Sequence, residues 1–211
     1  MTASFFEKDI MMTRIIFATG NQGKVNEIRE ILRDLDAEVV TMKEAGYDIE
    51  VEENGTTYEE NAILKAKAIM EASGCLTLAD DSGIEIDYLG KEPGIHSARY
   101  MGHETSYDIK NQSFIDKLKG VPDELRTARF VCAIAAAFPD GRIETVRATM
   151  EGRIAHEIAG GNGFGFDPIF YLPDRGCTSA EITSEEKNEI SHRGKALRLM
   201  RDRLVELGEL K

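Results

Sequence analysis

The 211-residue sequence predicts an α/β protein with a mixed β-sheet core flanked by helices. Short β-like runs alternate with helical patterns near both ends of the chain. In the middle, two long β-like segments, TARFVCAIAAAF (127–138) and RIETVRATMEGRI (142–154), are joined by Pro139, Asp140 and Gly141. This turn composition is typical of an antiparallel hairpin. Strand–helix alternation combined with a central hairpin predicts a mixed sheet.

The first third of the chain predicts a strand, a glycine loop, a helix and a second strand. Residues Arg14 to Thr19 form a short apolar run rich in β-branched residues, and Gly20 ends it. Ala37 to Met42 reads as the second strand. Between them, apolar residues recur at helical spacing, namely Val25, Ile28, Ile31 and Leu35.

The same patterns predict the remaining elements. A helix follows the acidic loop EVEENGTT, with Ala62, Ala66 and Ile69 on one stripe, and its Asn61 and Lys65 share a face because they are four residues apart. The predicted strands are Leu76 to Asp80 and Ile84 to Leu89. One long helix is expected from Ser184 to Leu207, with acidic residues in its first turn.

Composition narrows the functional classes. The hydrophobic fraction of 42% fits a globular protein, and no apolar run approaches the roughly 20 residues of a membrane-spanning helix. A net charge of −12 argues against nucleic-acid binding. Three cysteines without CxxC spacing fit neither a disulfide framework nor a zinc site, so a cytoplasmic location is expected. We expect one domain over residues 14–211, preceded by an extension of residues 1–13.

The glycine loop between the first strand and helix has two interpretations. Such a loop presents backbone N–H groups and the positive end of a helix dipole, which suit a phosphate, and Lys24 adds a full charge. Gly20 and Gly23 are too close for a P-loop, and Val25 follows the lysine where a P-loop has Ser or Thr. The spacing leaves phosphate binding and a plain turn about equally supported.

Two acidic segments could hold a metal ion. LADDSG places Asp80 and Asp81 at the expected end of a strand, where α/β proteins usually bind ligands, and strand geometry directs only one of the two at a given ligand atom. VEENG contributes Glu52 and Glu53. Carboxylates suit Mg²⁺, which keeps several waters and takes phosphate oxygens. A solvated, capped turn is the competing interpretation.

Two later segments could contact a planar ligand. GGNGFGFDPIF (160–170) combines four glycines with Phe164, Phe166 and Asp167; glycines allow close backbone approach, and an aromatic ring can stack on a base. EEKNEISHRGKAL (185–197) brings several basic residues onto or beside a helix. Considered alone, residues 160–170 are more simply explained as a glycine-rich turn with core phenylalanines, and residues 185–197 as a solvent-exposed basic helix face.

Together, in this order, the segments ATGNQGKVNEI, ENAILKAKA, LADDSGIEIDYLGKEPGIHSARY, GFGFDPIF and AEITSEEKNEISHRGKAL resemble the inosine triphosphate pyrophosphatase family. The resemblance extends from Arg14 to about Leu207. It implies an elongated fold of two lobes with a central cleft, a homodimer, and Mg²⁺-dependent hydrolysis of non-standard purine nucleoside triphosphates (ITP, dITP and XTP) to a monophosphate and pyrophosphate. It also favours the phosphate-binding interpretation of the glycine loop.

The resemblance also implies roles for individual residues. Asp81 matches the proton acceptor and a metal ligand, and Glu52 matches the second metal ligand. Residues expected to line the phosphates are Thr19, Gly20, Asn21, Gln22, Gly23, Lys24 and Lys65. Ser82 is expected to contact the substrate. Residues matching the nucleoside site are Phe164, Gly165, Phe166, Asp167, Lys187, His192 and Arg193.

This chain departs from the commoner family pattern at three positions. Asn162 replaces a frequent glycine, His96 replaces a frequent tyrosine, and Phe166 stands where Tyr or Trp is usual, which removes a hydrogen-bond donor. Two alternatives to the expected activity are a pyrophosphatase acting on pyrimidine nucleotides and a nucleotide sensor without catalysis.

Overall fold

The computed structural model describes residues 12–20, 22–34 and 36–210. Its seven strands form one sheet in the order β2-β1-β3-β4-β5-β6-β7. The strands are β1 Thr13–Phe17, β2 Ala37–Thr41, β3 Leu76–Ile86, β4 Thr127–Ala137, β5 Ile143–Ile154, β6 Phe170–Leu172 and β7 Cys177–Thr178. The helices are α1 Gln22–Leu32, α2 Tyr58–Ser73, α3 Tyr107–Lys117, α4 Ser184–Ile190 and α5 His192–Glu206.

The predicted mixed sheet is confirmed. β1 pairs in parallel with both β2 and β3, whereas β3 to β7 pair antiparallel. The long hairpin is β4 and β5, with a register that runs from Thr127–Arg153 to Ala137–Ile143. Parallel strands come from the strand–helix units and antiparallel strands from the hairpin, as the two sequence patterns predict.

Two predicted strands are in fact one. We expected Leu76 to Asp80 and Ile84 to Leu89 as separate strands, but β3 runs without a break to Ile86, because every residue from Thr77 to Ile86 has a partner on β4. Asp81 and Ser82 therefore lie inside a central strand. Residues 87–89 form a short 3₁₀ helix instead of continuing the strand.

The predicted long C-terminal helix is divided at Ser191. Thr183 caps α4 in a reciprocal capping box with Glu186, and Ser191 ends α4 in an extended conformation. The side chain of Ser191 then accepts a hydrogen bond from the N–H of Gly194 and caps α5. An extended residue that caps the following helix stops one helix and starts another.

Helices cover both faces of the sheet at one end. Helices α1 and α5 pack their buried side chains, including Val25, Ile28 and Leu204, on one face, while Ala62 and Ile69 of α2 pack on the other. The predicted stripes on α1 and α2 are thereby confirmed, except that Leu35 lies outside the described residues. The described helices include none long and apolar enough to cross a membrane.

A second hydrophobic core lies at the other end of the sheet. It joins the far ends of β3 and β4 to α3 and to β6, through residues such as Ile84, Phe114, Phe130 and Phe170. Sequence patterns did not identify α3 or the short strands β6 and β7. The two cores correspond to the expected two lobes. Most of the predicted extension 1–13 lies outside the described residues, and β1 begins at Thr13, one residue before the predicted boundary.

Candidate active site

The middle of β3 lies between the two cores. Leu76 and Leu78 belong to the hydrophobic core beneath α1 and α5, and Ile84 and Ile86 belong to the second core, at the other end of the sheet. The DDSG segment occupies the interval and carries polar groups where the strand would otherwise be apolar. The prediction that Asp80 and Asp81 follow a strand's end is wrong, because pairing with β4 continues through both residues.

A cleft of about 340 Å³ opens beside this interval. It brings together Lys24, Asp81 and Phe164, which come from distant parts of the chain. Its other lining residues are Glu53, Lys65, Ser82, Gly83, Ser97, Ala98, Tyr107, Phe130, Gly165, Phe166, Asp167, Lys187, His192 and Arg193. A second cavity of about 310 Å³ shares Lys24, Glu53 and Lys65 with it. The two cavities therefore adjoin at these three residues, and together they are called the groove.

Asp80 and Asp81 project to different partners, as expected for neighbours on a strand. Asp80 is 2% exposed and accepts from Lys24 Nζ at 2.8–2.9 Å, with Arg193 Nε 3.4 Å away. Burial alone raises the pKa of Asp80, but the charges of Lys24 and Arg193 outweigh it and hold the pKa well below its usual value. Asp80 therefore stays ionised and positions two cations.

Asp81 has a different environment. Its Oδ2 accepts from Asn61 Nδ2 at 3.2 Å, and its Oδ1 lies 3.5 Å from Lys65 Nζ. Burial raises the pKa of Asp81; Lys65 opposes this and Glu53 adds to it. A carboxylate with a raised pKa accepts protons more readily than its neighbour. Of the two aspartates, Asp81 is the one suited to a proton acceptor.

The acidic loop contributes Glu53 to the groove. Glu53 Oε1 lies 2.6 Å from Lys65 Nζ, so Lys65 stands between Glu53 and Asp81. Arg99 Nη2 donates to the Glu53 carbonyl at 3.3 Å, and the N–H of Gly55 donates to Asn61 at 2.9 Å. These bonds tie the loop to the wall that holds Asp81.

Glu52, which the resemblance matched to the second metal ligand, is exposed and lines neither cavity. Glu53, the next residue, is only partly exposed and lines both cavities. The loop sequence offered both glutamates, and only the fold distinguishes them. Within the described ranges, no group of three or more His, Cys, Asp or Glu side chains could hold a metal ion. A metal here would have few protein ligands.

The glycine loop forms the other end of the groove. Thr19, Gly20 and Lys24 line the second cavity, together with Lys65. Gln22 and Gly23 begin α1, which places the N-terminal end of that helix at the groove. Asn21 lies outside the described residues. The end of the groove nearest α1 therefore combines a helix N-terminus with two lysines.

A tight turn carries the predicted aromatic residues. Asp167 is buried, and its carboxylate accepts from the N–H of Phe164 at 2.8 Å, from Ser179 Oγ at 2.8 Å and from Lys187 Nζ. The first of these donors lies within the turn itself, and the other two connect Asp167 to Ser179 and Lys187, which are distant in sequence. Phe164 is 50% exposed, and Lys187 Nζ lies 5.2 Å from its ring centroid. Asp167 thus fixes the turn that presents Phe164 to the cleft.

The break between α4 and α5 places His192 and Arg193 at the cleft wall. His192 stacks on Phe130 with ring centroids 4.9 Å apart, and its Nδ1 has no hydrogen-bond partner within the part of the chain that the structure describes. Burial, and then the charges of Arg193 and Lys187, hold the pKa of His192 well below its usual range. Arg193 Nη2 donates to Ser82 Oγ at 3.3 Å. The imidazole is therefore neutral beside a permanent cation.

Phe166 differs in placement from Phe164. It is 4% exposed, and its ring packs edge-on against Tyr107 and Phe114 at centroid distances of 5.2 and 5.5 Å. Tyr107 and Asn111 were not predicted at the site, because no sequence pattern predicted helix α3. Asn61 and Lys65 share a helix face as expected, and both contact Asp81.

Comparison with known proteins agrees with this geometry. Residues 15–203 match the Ham1 family. The chain is 47% identical to the dITP/XTP pyrophosphatase of Bacillus subtilis, over 90% of this chain and 96% of the relative, and 44% identical to that of Photorhabdus laumondii, over 92% and 98%.

Solved structures give the same result. The Staphylococcus aureus Ham1 protein is 41% identical with a TM-score of 0.84, covering 92% of this chain and 99% of that one. A HAM1 protein from Coxiella burnetii is 39% identical with a TM-score of 0.86, covering 92% and 100%. The resemblance seen in the sequence motifs is confirmed, and the chain belongs to the Ham1 family.

Proposed function

We propose that this protein hydrolyses non-standard purine nucleoside triphosphates (ITP, dITP and XTP) to the monophosphate and pyrophosphate, and so removes them from the nucleotide pool. One observation carries the proposal: two adjoining cavities bring together Lys24 beside a helix N-terminus, the buried Asp81 carboxylate of raised pKa and the exposed Phe164 ring. The relatives named dITP/XTP pyrophosphatase support the substrate class.

The cationic end binds the triphosphate. Lys24 and Lys65 supply positive charge, and we expect Thr19, Gly20, Asn21, Gln22 and Gly23 to line the phosphates, as the family resemblance implies. A helix N-terminus adds N–H donors and the positive end of the dipole. Asp80 holds Lys24 in place by an ion pair. The Lys24 side chain is therefore already fixed before the substrate binds, and binding does not have to restrict its motion. The leaving pyrophosphate is stabilised by these same groups.

The carboxylates fit Mg²⁺. Asp81 and Glu53 flank the Lys65 ammonium, so their oxygens already converge on one positive charge. Mg²⁺ is bound through one or two carboxylates plus waters and phosphate oxygens, which fits described residues that include no metal-holding group of three or more His, Cys, Asp or Glu side chains. We assign the metal to Asp81 and Glu53 in place of Glu52. When bound, Mg²⁺ neutralises phosphate charge and polarises the scissile group.

Asp81 accepts a proton from the attacking water. The water oxygen forms a bond to the α-phosphorus, the bond from that phosphorus to the bridging oxygen breaks, and pyrophosphate leaves. Asn61 orients the Asp81 carboxylate, and the raised pKa of Asp81 favours proton acceptance. Positioning and charge stabilisation supply most of the acceleration in such reactions.

The nucleoside end selects the base. Hypoxanthine and xanthine carry an acceptor oxygen at purine position 6, whereas adenine carries a donor amine. Arg193, a permanent donor, and His192, through its ring N–H, pair with the oxygen and oppose the amine. Phe164 stacks on the ring, while Lys187, Ser82, Gly165, Phe166 and Asp167 complete the wall. A site built on hydrogen bonds can reject a mismatched analogue by about 10⁴-fold.

The proposal extends to the cellular context. The substrate is a small molecule, and a net charge of −12 disfavours nucleic acid as a partner. We place the protein in the cytoplasm and expect it to act as a homodimer, as the family resemblance implies.

The test is pyrophosphate release from a panel of nucleoside triphosphates, with and without Mg²⁺. We expect ITP, dITP and XTP to be cleaved only with Mg²⁺, and ATP to be cleaved at least 100-fold more slowly. Preference for UTP or CTP would support a pyrimidine enzyme, and nucleotide binding without turnover would support a sensor. Asp81→Asn at saturating Mg²⁺ should lose at least 100-fold in kcat; near wild-type turnover would remove Asp81 from the mechanism.

A further inference from the structure

Helix α3 packs directly on the turn that carries Phe164. The Cε1 atom of Tyr107, the first residue of α3, lies 3.6 Å from the position that a Cβ atom would take on Gly165. Asn111 Nδ2, one turn later, donates to the Gly165 carbonyl at 3.1 Å. The edge-on contact between Tyr107 and Phe166 adds a third attachment. The turn and the start of α3 therefore form one rigid wall of the cleft.

Lys110 fixes the Tyr107 ring from another side. It is almost fully buried, and its Nζ lies 4.9 Å from the Tyr107 ring centroid while it donates to the Ala98 carbonyl at 3.3 Å. No carboxylate of the described chain pairs with it. A buried ammonium whose contacts are a carbonyl and a π face makes the cation–π contact stronger than at an exposed site. Tyr107 is thus held in place before any ligand binds.

Tyr107 also covers the residue expected at the base. Phe166 is 4% exposed, whereas Tyr107, which packs against it, is 38% exposed and lines the cleft. Phe164 and Tyr107 are therefore the exposed aromatic residues of the cleft lining, whereas Phe130, Phe166 and His192 are buried. No hydrogen bond to another residue within the described ranges engages the Tyr107 hydroxyl, so packing and the contact with Lys110 position the ring.

We propose that Tyr107 is a specificity-determining residue whose ring contacts the purine, at the place in the nucleoside site that the family resemblance implies for Phe166. This inference rests on the proposed function, since it names how that site holds its base. Because the ring makes the contact, phenylalanine should replace Tyr107 and alanine should not. Truncating an aromatic side chain that stacks on a base weakens binding by roughly 10-fold.

The test compares two ligands by calorimetry: α,β-imido-ITP, which has a base, and tripolyphosphate, which has none. For Tyr107→Ala we expect the Kd of the imido analogue to rise about 10-fold and the Kd of tripolyphosphate to stay within 2-fold. Tyr107→Phe should bind both ligands like the wild type. Ile109→Ala is the matched control, because Ile109 lies on the same helix, is 56% exposed and does not line the cleft.

Three results would overturn the inference: unchanged affinity of Tyr107→Ala for the imido analogue, equal losses for both ligands, or a loss in Tyr107→Phe as large as in Tyr107→Ala. Retained tripolyphosphate binding also reports that the variant is folded. Binding needs no turnover, so the two proposals fail separately. A wild type that binds the imido analogue but does not hydrolyse ITP refutes the proposed function alone.

Discussion

Adjacent aspartates on β3 should respond in opposite ways to the same substitution. Asp80→Asn removes the charge that pairs with Lys24 and Arg193, whose side chains are 18% and 5% exposed. Removing one partner of a buried pair leaves the remaining buried charges less well compensated and costs about 3 kcal/mol. For a chain of this size each kcal/mol lowers Tm by about 2–4 °C, so we expect a decrease of roughly 6–12 °C.

Asp81→Asn is the matched control. Burial raises the pKa of Asp81, so folding makes ionisation of this carboxyl less favourable than it is in the unfolded chain. An asparagine can still accept the hydrogen bond from Asn61, and Lys65 keeps its ion pair with Glu53. We therefore expect a Tm equal to or above that of the wild type, at the expense of activity.

Thermal unfolding at pH 7.5, without ligand or metal, measures both effects. The pKa of Asp80 is lowered by folding, so its contribution is complete above its unfolded value of about 3.9 and is lost as pH falls below that value. The difference between Asp80→Asn and the wild type should persist from pH 7.5 to about pH 5. A decrease below 2 °C for Asp80→Asn, or an equal decrease for Asp81→Asn, would refute this assignment.

Three further predictions follow from the site. Folding lowers the pKa of His192, so its NMR resonance should show no titration step at or above pH 6.5, and a step there would contradict a neutral imidazole. Glu53→Gln should raise the Mg²⁺ concentration for half-maximal activity at least 10-fold while Glu52→Gln leaves it unchanged; the reverse pattern would restore Glu52 as the ligand. Gly163 has φ +74°, and a Cβ atom there would collide with the Asp167 carboxylate. Gly163→Ala should therefore lower the free energy of unfolding, measured by denaturant, by at least about 1 kcal/mol. An unchanged free energy of unfolding would show that the turn adapts.

Elements with clear hydrophobic periodicity or clear turn residues could be predicted from the sequence. The stripes on α1 and α2 and the β4–β5 hairpin carry clear helical or turn patterns, and their burial follows those patterns. The division at Ser191 was missed because the residues on both sides favour a helix and only the serine cap interrupts them. The continuity of β3 was missed because DDSG reads as a turn, and only pairing with β4 overrides that preference.

Those site residues that lie within short sequence motifs could be predicted from the sequence. Lys24, Asp81 and Phe164 could be identified as a group, and they share one cleft. Two other residues of the cleft, Glu53 and Tyr107, could not be identified from the sequence. Choosing Glu53 over Glu52 requires the path of an irregular loop, and placing Tyr107 requires the position of α3, which has a weak amphipathic pattern. Side chains set by tertiary packing carry little local signal.

The central claim is that one triphosphate spans the groove with its α-phosphorus beside Asp81. Hydrolysis of ITP in ¹⁸O-labelled water, followed by mass spectrometry of both products, tests it most directly. Attack at the α-phosphorus should place the label in the monophosphate and leave pyrophosphate unlabelled. Label in pyrophosphate, or release of labelled orthophosphate, would contradict the claim.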